Sequence, residues 1–180
     1  MAGPARTLTV DSPVGALLLT ADEDGLSGIW FEENRHGTPP RYLPPAASDT
    51  SGVGAVLEVA RAQLAEYFAG ARTAFDLPLA PRGTPFQLRV WASLRDIPFG
   101  QTISYVDLAR VVADTKATRA VGAANGRNPL PIVVPCHRVI GADGSLVGFG
   151  GGLARKRWLL AHEGALAGEQ LGFLDDLRLG

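Results

Sequence analysis

Residues 132–140 read Ile132-Val133-Val134-Pro135-Cys136-His137-Arg138-Val139-Ile140. The apolar run 132–134 predicts a short buried strand that leads straight to a thiol. Cys136 is the chain's single cysteine, so no intramolecular disulfide forms and a cysteine-based zinc site is excluded. A thiol at the mouth of a strand, with His137 and Arg138 beside it, is expected to have a lowered pKa and to react as the thiolate. His137 is the candidate base. Neighbours on an extended chain point to opposite faces, so His137 is expected to reach the sulfur through a water. Such a histidine also needs a third group to fix its tautomer, and spacing alone does not choose that group.

Working outward, Asn128-Pro129-Leu130-Pro131 predicts an extended lead-in, and Gly141-Ala142-Asp143-Gly144 a turn. Val147–Gly152 is a glycine-rich loop, and Leu153–His162 a final helix with Gly164 suited to its C′ position. Upstream, Thr84-Pro85 marks a helix start, with a capping hydroxyl and proline in the first turn. Phe86, Val90, Trp91 and Leu94 share a face, and Pro98-Phe99-Gly100 stops that helix. Ser104 can cap a second helix to about Val112, and Asp114 or Thr115 a third to about Asn125. The last two make a helix-turn-helix, with Arg119 on the second helix, where a groove reader would sit.

The first 80 residues have another texture. Thr7–Val10, Val14–Thr20 and Leu26–Phe31 are β-rich runs separated by turn residues at 11–13 and 21–25. Residues 32–50 hold four prolines and predict a loop, Ser51–Ala69 a helix, and Phe75–Leu79 one more strand. Pro78, Pro81 and Gly83 mark a linker. The fold class is therefore α+β: a small N-terminal sheet-and-helix domain (1–80, antiparallel), a mostly helical domain containing the helix-turn-helix (81–165), and a weakly patterned tail (166–180).

Charge follows the same division. Residues 1–81 hold five basic and ten acidic side chains, residues 82–162 eleven and four, and residues 163–180 one and four. The basic central segment suits an anionic partner. No run approaches 18 apolar residues, and no signal-peptide core precedes the first strand, so a cytoplasmic protein without a membrane partner is expected. Three scattered histidines (36, 137, 162) make a poor metal cage, and neither metal nor cofactor is expected.

The run Pro135–Ile140 resembles the active-site motif of the O6-alkylguanine-DNA alkyltransferases, also called methylated-DNA–protein-cysteine methyltransferases. So do Pro98–Tyr105 at the entry to the helix-turn-helix, Arg119-Ala120-Val121-Gly122 in the recognition helix, and Asn128–Val134 before the nucleophile. Gly151-Gly152-Leu153 and Lys156–Leu160 are similar to the closing loop and helix. The likeness covers about residues 84–163, while residues 1–80 fit the variable N-terminal domain only loosely.

The resemblance implies direct-reversal repair. The alkyl group of O6-alkylguanine, and of O4-alkylthymine, would pass once and irreversibly to Cys136 from a nucleotide flipped out of double-stranded DNA. It implies His137 as a water-mediated base, oriented by Glu163, and Asn128 as the tie between helix-turn-helix and active-site turn. Tyr105 would crowd the phosphate and donate a proton to the departing base. Arg119 would be a finger entering the duplex, on a reading helix whose Ala117, Thr118 and Ala120 lie against the minor groove. Pro131, Val139, Phe149 and Gly150 would line the base and alkyl pocket. A monomer is expected, with cooperativity on DNA left open. Phe149 stands where many relatives have Tyr, Thr118 where a smaller residue is common, and the zinc-binding Cys/His set of some relatives is missing. Two other classes compete: a cysteine hydrolase or acyltransferase, for which no oxyanion hole is marked, and a non-catalytic module that binds alkylated bases, whose kind lacks the cysteine.

Overall fold

The structure, a computed structural model, describes residues 5–33 and 52–166. The loop expected over 32–50, from residue 34 on, and the tail expected at 166–180, from residue 167 on, lie outside the described residues. The chain divides into two compact units, Met1–Arg82 and Gly83–Gly180.

In the first unit, β1 (Arg6–Val10), β2 (Leu17–Asp22) and β3 (Gly25–Phe31) form an antiparallel sheet in the order β1-β2-β3. β2 starts three residues later than the sequence suggests. The Ser12 hydroxyl donates to the Gly15 carbonyl (2.6 Å) and accepts from the Val14 N–H (3.2 Å), which folds residues 12–15 into a turn. The β2–β3 connection is correspondingly tighter. Only Glu23 and Asp24 separate the paired Asp22 and Gly25, and the Asp22 carboxylate accepts from the Asp24 N–H at 3.0 Å. Helix α1 (Gly52–Phe68) lays Leu57, Ala60, Leu64 and Tyr67 on this sheet.

The strand expected at Phe75–Leu79 is absent. A single parallel bridge, Leu26 to Leu79, replaces it. Gln63 takes both backbone groups of Asp76, donating to its carbonyl (2.6 Å) and accepting from its N–H (2.8 Å), and Pro78 has no N–H to give. The backbone groups a ladder would need are already committed.

The second unit starts as its sequence predicts. Thr84 and Gln87 form a reciprocal capping box at α2 (Pro85–Leu94), with Gln87 N–H to Thr84 Oγ1 at 3.2 Å and Thr84 N–H to Gln87 Oε1 at 2.9 Å. Strand β4 (Ile103–Ser104) leads into α3 (Tyr105–Val112), capped by Ser104 Oγ, which accepts from Asp107 N–H at 3.1 Å. The third expected helix is split. Asp114 caps a 3₁₀ turn (Thr115–Ala117), and the α-helix proper, α4, runs Thr118–Gly126. The Thr118 hydroxyl donates to the Thr115 carbonyl at 2.6 Å and keeps that first turn tight. Trp91, buried in α2, donates its indole N–H to the Ala124 carbonyl at 2.8 Å and pins the end of α4.

Ile132–Val134 is not a strand. It is a turn in which Ile132 has φ +76°, a region a β-branched residue seldom enters. Prolines at 129, 131 and 135 remove ladder donors, and the Asn128 amide occupies the Leu130 N–H (3.0 Å) and the Val134 carbonyl (2.7 Å). Pairing begins only at β5 (Val139–Ile140), which runs parallel to β4. Helix α5 (Leu153–His162) ends in a Schellman motif at Gly164 (φ +70°), with Ala165 N–H on the Leu160 carbonyl and Gly164 N–H on that of Ala161. None of the described helices is long and apolar enough to cross a membrane.

Replacing Thr84 by Ala removes half of the capping box. A loss of about 1 kcal/mol in unfolding free energy is expected from denaturant titration, whereas Leu88→Ala, at an exposed position in the helix that makes no cap, should cost less.

Candidate active site

Cys136, His137 and Arg138 form one 3₁₀ turn between the Ile132 turn and β5. The backbone is not extended there, so the expected reason for separating His137 from the sulfur falls. In a 3₁₀ turn successive side chains diverge by about a third of a circle. All three residues are buried, Cys136 to 4% exposure and His137 to 0%.

His137 Nε2 lies 2.8 Å from Glu163 Oε1, while its Nδ1 is buried with no hydrogen-bond partner among the described residues. Glu163 comes from the C-cap of α5. Its carboxylate also receives Arg138, through Nε on Oε2 (2.9 Å) and Nη2 on Oε1 (3.0 Å), and Arg138 Nη1 donates to the Ile97 carbonyl at 2.6 Å. Burial pushes the Glu163 carboxyl up, but the hydrogen bonds from His137 and Arg138 outweigh it and hold the group well below the usual carboxylate range. Burial holds His137 below its ordinary value despite the pull of Glu163, so its imidazole is neutral at pH 7.

The expected low-pKa thiol is corrected. Burial pushes Cys136 up, and the Asn128 amide and the Lys156 charge offset this only in part. Arg138, the cation nearest in sequence, is spent on Glu163. The resting group is therefore a thiol, not a thiolate.

Sequence reading missed Lys156. It is fully buried, and its Nζ donates to the carbonyls of Val139 (2.6 Å), Val147 (2.8 Å) and Gly148 (3.3 Å). Burial lowers its pKa to about 8. Its spacing of three and four residues from the buried Leu159 and Leu160 was the available signal. Tyr105, first residue of α3, donates its hydroxyl to the same loop, 2.8 Å from the Val147 carbonyl and 3.2 Å from that of Gly148. Its pKa is pushed up to about 12, by burial first and then by the proximity of Cys136. Pro131, Val139 and Phe149 are buried and Gly150 is half-buried.

The remaining expected residues lie at the start of α4 and in the 3₁₀ turn before it. α4 exposes Arg119 and Ala120 in its first turn, with Ala117 and Thr118 half-buried before them, while it buries Val121, Ala124 and Asn125. Among the described residues no cluster of His, Cys, Asp and Glu could hold a metal ion.

Glu163→Gln leaves the buried Arg138 without its carboxylate, and a loss of about 3–5 kcal/mol in unfolding free energy at pH 7 is expected. The pH dependence has a definite sign. Glu163 has a folded pKa below its ordinary 4.5, so its stabilisation is full above 4.5 and is lost as pH falls through the folded value. His137, depressed below 6.5, adds a loss of the same sign that begins at 6.5. Thermal midpoints should therefore decline from pH 6.5 downward, and the gap between wild type and Glu163→Gln should narrow below 4.5.

Comparison with known proteins accounts for both units. Residues 85–165 match the profile of the 6-O-methylguanine DNA methyltransferase DNA binding domain, and residues 6–81 that of the 6-O-methylguanine DNA methyltransferase ribonuclease-like domain. A methylated-DNA–protein-cysteine methyltransferase of Methanosarcina acetivorans is 44% identical over 155 residues, 86% of this chain and 96% of its own. That of Mycobacterium tuberculosis is 44% identical over 167 residues, 93% and 97% of the two chains. The crystal structure of M. tuberculosis O6-methylguanine methyltransferase superposes with a TM-score of 0.77 at 44% identity, covering 95% of this chain and 99% of that one. The M. tuberculosis OGT structure in complex with DNA gives 0.78 at 43%, with the same coverage. With nearly the whole described chain accounted for in sequence and in fold, the protein belongs to the 6-O-methylguanine DNA methyltransferase family.

Proposed function

We propose that this protein is a methylated-DNA–protein-cysteine S-methyltransferase that repairs O6-alkylguanine in double-stranded DNA, with O4-alkylthymine as a second substrate. The observation that carries the reading is the state of His137. One ring nitrogen is held by Glu163, and the other is buried and has no partner among the described residues, on a neutral ring next in sequence to a protonated thiol.

The thiol proton passes to His137 Nδ1 through a water. The sulfur then attacks the alkyl carbon of the lesion. The S–C bond forms, the C–O6 bond breaks, and its electron pair stays on the purine. The purine takes up one proton, so base, thioether and protons balance. Tyr105, protonated at any physiological pH, gives the departing base that proton and is reprotonated from solvent, while the His137 imidazolium returns to solvent the proton it took from the thiol. Lys156, still mostly an ammonium at pH 7, favours the developing thiolate through its charge. A thioether is a poor leaving group and the chain has no second cysteine to take the carbon onward, so each molecule acts once.

The target carbon lies inside a stacked duplex, so the nucleotide is everted at a cost of a few kcal/mol. Arg119, exposed at the start of α4, fills the space the base leaves. The small side chains of Ala117 and Ala120 let the helix approach the minor groove, whose degenerate pattern suits a protein indifferent to sequence. The basic segment 82–162 attracts the phosphates. Because Cys136 is only 4% exposed, the entering base reaches its sulfur by parting the residues that cover it.

Incubation with an O6-methylguanine duplex should raise the intact mass by about 14 Da, one CH2 per chain, and Cys136→Ser should show no gain. Binding of the duplex with no change in mass would favour the non-catalytic module instead. Arg119→Ala should slow reaction with the duplex lesion by about tenfold or more while sparing reaction with free O6-benzylguanine. Equal losses on both would remove the finger role.

A further inference from the structure

Arg138 brings a buried charge to the reactive turn, and the alkyl-transfer scheme gives it no task. It is 6% exposed. Besides its fork on Glu163 and its bond to the Ile97 carbonyl, the guanidinium faces the Phe99 ring, 5.8 Å from Cζ to the centroid. A fold gains little from such a charge, because a buried ion pair seldom outdoes apolar side chains of the same volume. The surroundings of Glu163 offer another reason for it. A bidentate fork fixes the plane of the carboxylate it grips. Arg138 Nη2 and His137 Nε2 share Oε1, while Oε2 takes Arg138 Nε and lies 3.5 Å from the Gly100 N–H. With one lone pair of Oε1 taken by the guanidinium, a single direction remains for an imidazole N–H. The ring fills it through Nε2, and Nδ1 is left as the basic nitrogen.

Charge balance points the same way. Helices α5 and α2 pack against the reactive turn. Glu163 caps α5, which also holds the buried Lys156 and the half-buried Arg155, Arg157 and His162; α2 brings only the exposed Arg89, and the turn itself Cys136 and Arg138. Burial disfavours the imidazolium and Glu163 favours it, while the charges of Arg138 and then Lys156 oppose Glu163. An unopposed carboxylate 2.8 Å away would draw a proton onto the ring and spend the base before a lesion arrived. We propose that Arg138 is a positioning residue of the alkyl transfer: its fork aims the Glu163 carboxylate, and its charge keeps that carboxylate from drawing a solvent proton onto His137, so that Nδ1 stays open to the proton of the thiol. The proposal rests on the alkyl-transfer reading above and names the group that keeps its base ready.

The pH profile of single-turnover transfer from a saturating O6-methylguanine duplex, taken between about pH 5.5 and 8.5, decides it. The acid limb of the wild type should lie below 6.5, the ordinary histidine value. Arg138→Gln keeps an amide at the site without the charge, and should move that limb up by about one pH unit. It would then react about tenfold more slowly than the wild type at the acid end and nearly as fast at the alkaline end. Arg138→Lys, which restores the charge without the fork, should recover most of the acid limb. A merely structural Arg138 would lower the rate of each variant by one factor at every pH, which would overturn the proposal. NMR of the histidine rings in the wild type needs no variant. His137 should carry its hydrogen on Nε2 and remain neutral to below pH 6.5, and a ring already charged above 6.5 would overturn the proposal whether or not the variants fold. Absence of transfer to the wild type at every pH would refute the alkyl-transfer reading along with this one, an outcome distinct from transfer with an unshifted profile.

Discussion

A single buried carboxylate organises the C-terminal unit. Glu163 sits where α5 ends, and two stretches of chain converge on it: the reactive turn, through both His137 and Arg138, and, by way of Arg138, the segment at Ile97 that follows α2. A charge removed from water is tolerated only when its lone pairs are taken, and here the forked guanidinium and the imidazole take them. The carboxylate thereby sets the orientation of the imidazole and, with it, which nitrogen is left over. The Schellman turn at Gly164 fixes where that carboxylate begins, so a glycine just outside a helix helps determine the geometry of a cysteine 28 positions earlier.

Burial does the opposite of what the neighbouring cations suggest. Arg138 and Lys156 are both close to Cys136 in the fold or the sequence, yet the first is neutralised by Glu163 and the second is tied to three carbonyls. The sulfur keeps its proton. A resting thiol is less prone to stray oxidation than a thiolate, and if each molecule acts once, as proposed, that protection would conserve the protein until the lesion arrives.

Much of this was legible in the residues. Thr84 and Pro85 announce α2, Ser104 announces α3, and Gly164 ends α5, because caps are local and act through adjacent backbone groups. The helix-turn-helix and the antiparallel sheet follow from periodicity of the same range. What misled was the apolar run Ile132–Val134. Periodicity over three residues cannot separate a strand from a buried turn, and the deciding group, the Asn128 amide, lies outside the run. Phe75–Leu79 failed alike, through Gln63 twelve residues before it. The thiol's pKa was misread because charge is visible in sequence and desolvation is not. Lys156 went unnoticed for a related reason: a buried polar side chain looks like a surface one until its partners are known.

The short parallel pairing of β4 with β5 acts as a strut. Ser104 belongs to it and also caps α3, while Val139 follows directly on the reactive turn. Cys136 is buried, and adding a carbon inside a packed interior commonly costs about 1–3 kcal/mol when the surroundings must shift to admit it. Once loaded, the turn can gain room only by leaning on the strut, and the strut leans on the helix-turn-helix. On the proposed reaction, spent and fresh molecules would then differ not at the sulfur alone but in the helices assigned to the nucleic acid, and a used copy would carry a mechanical mark of its history.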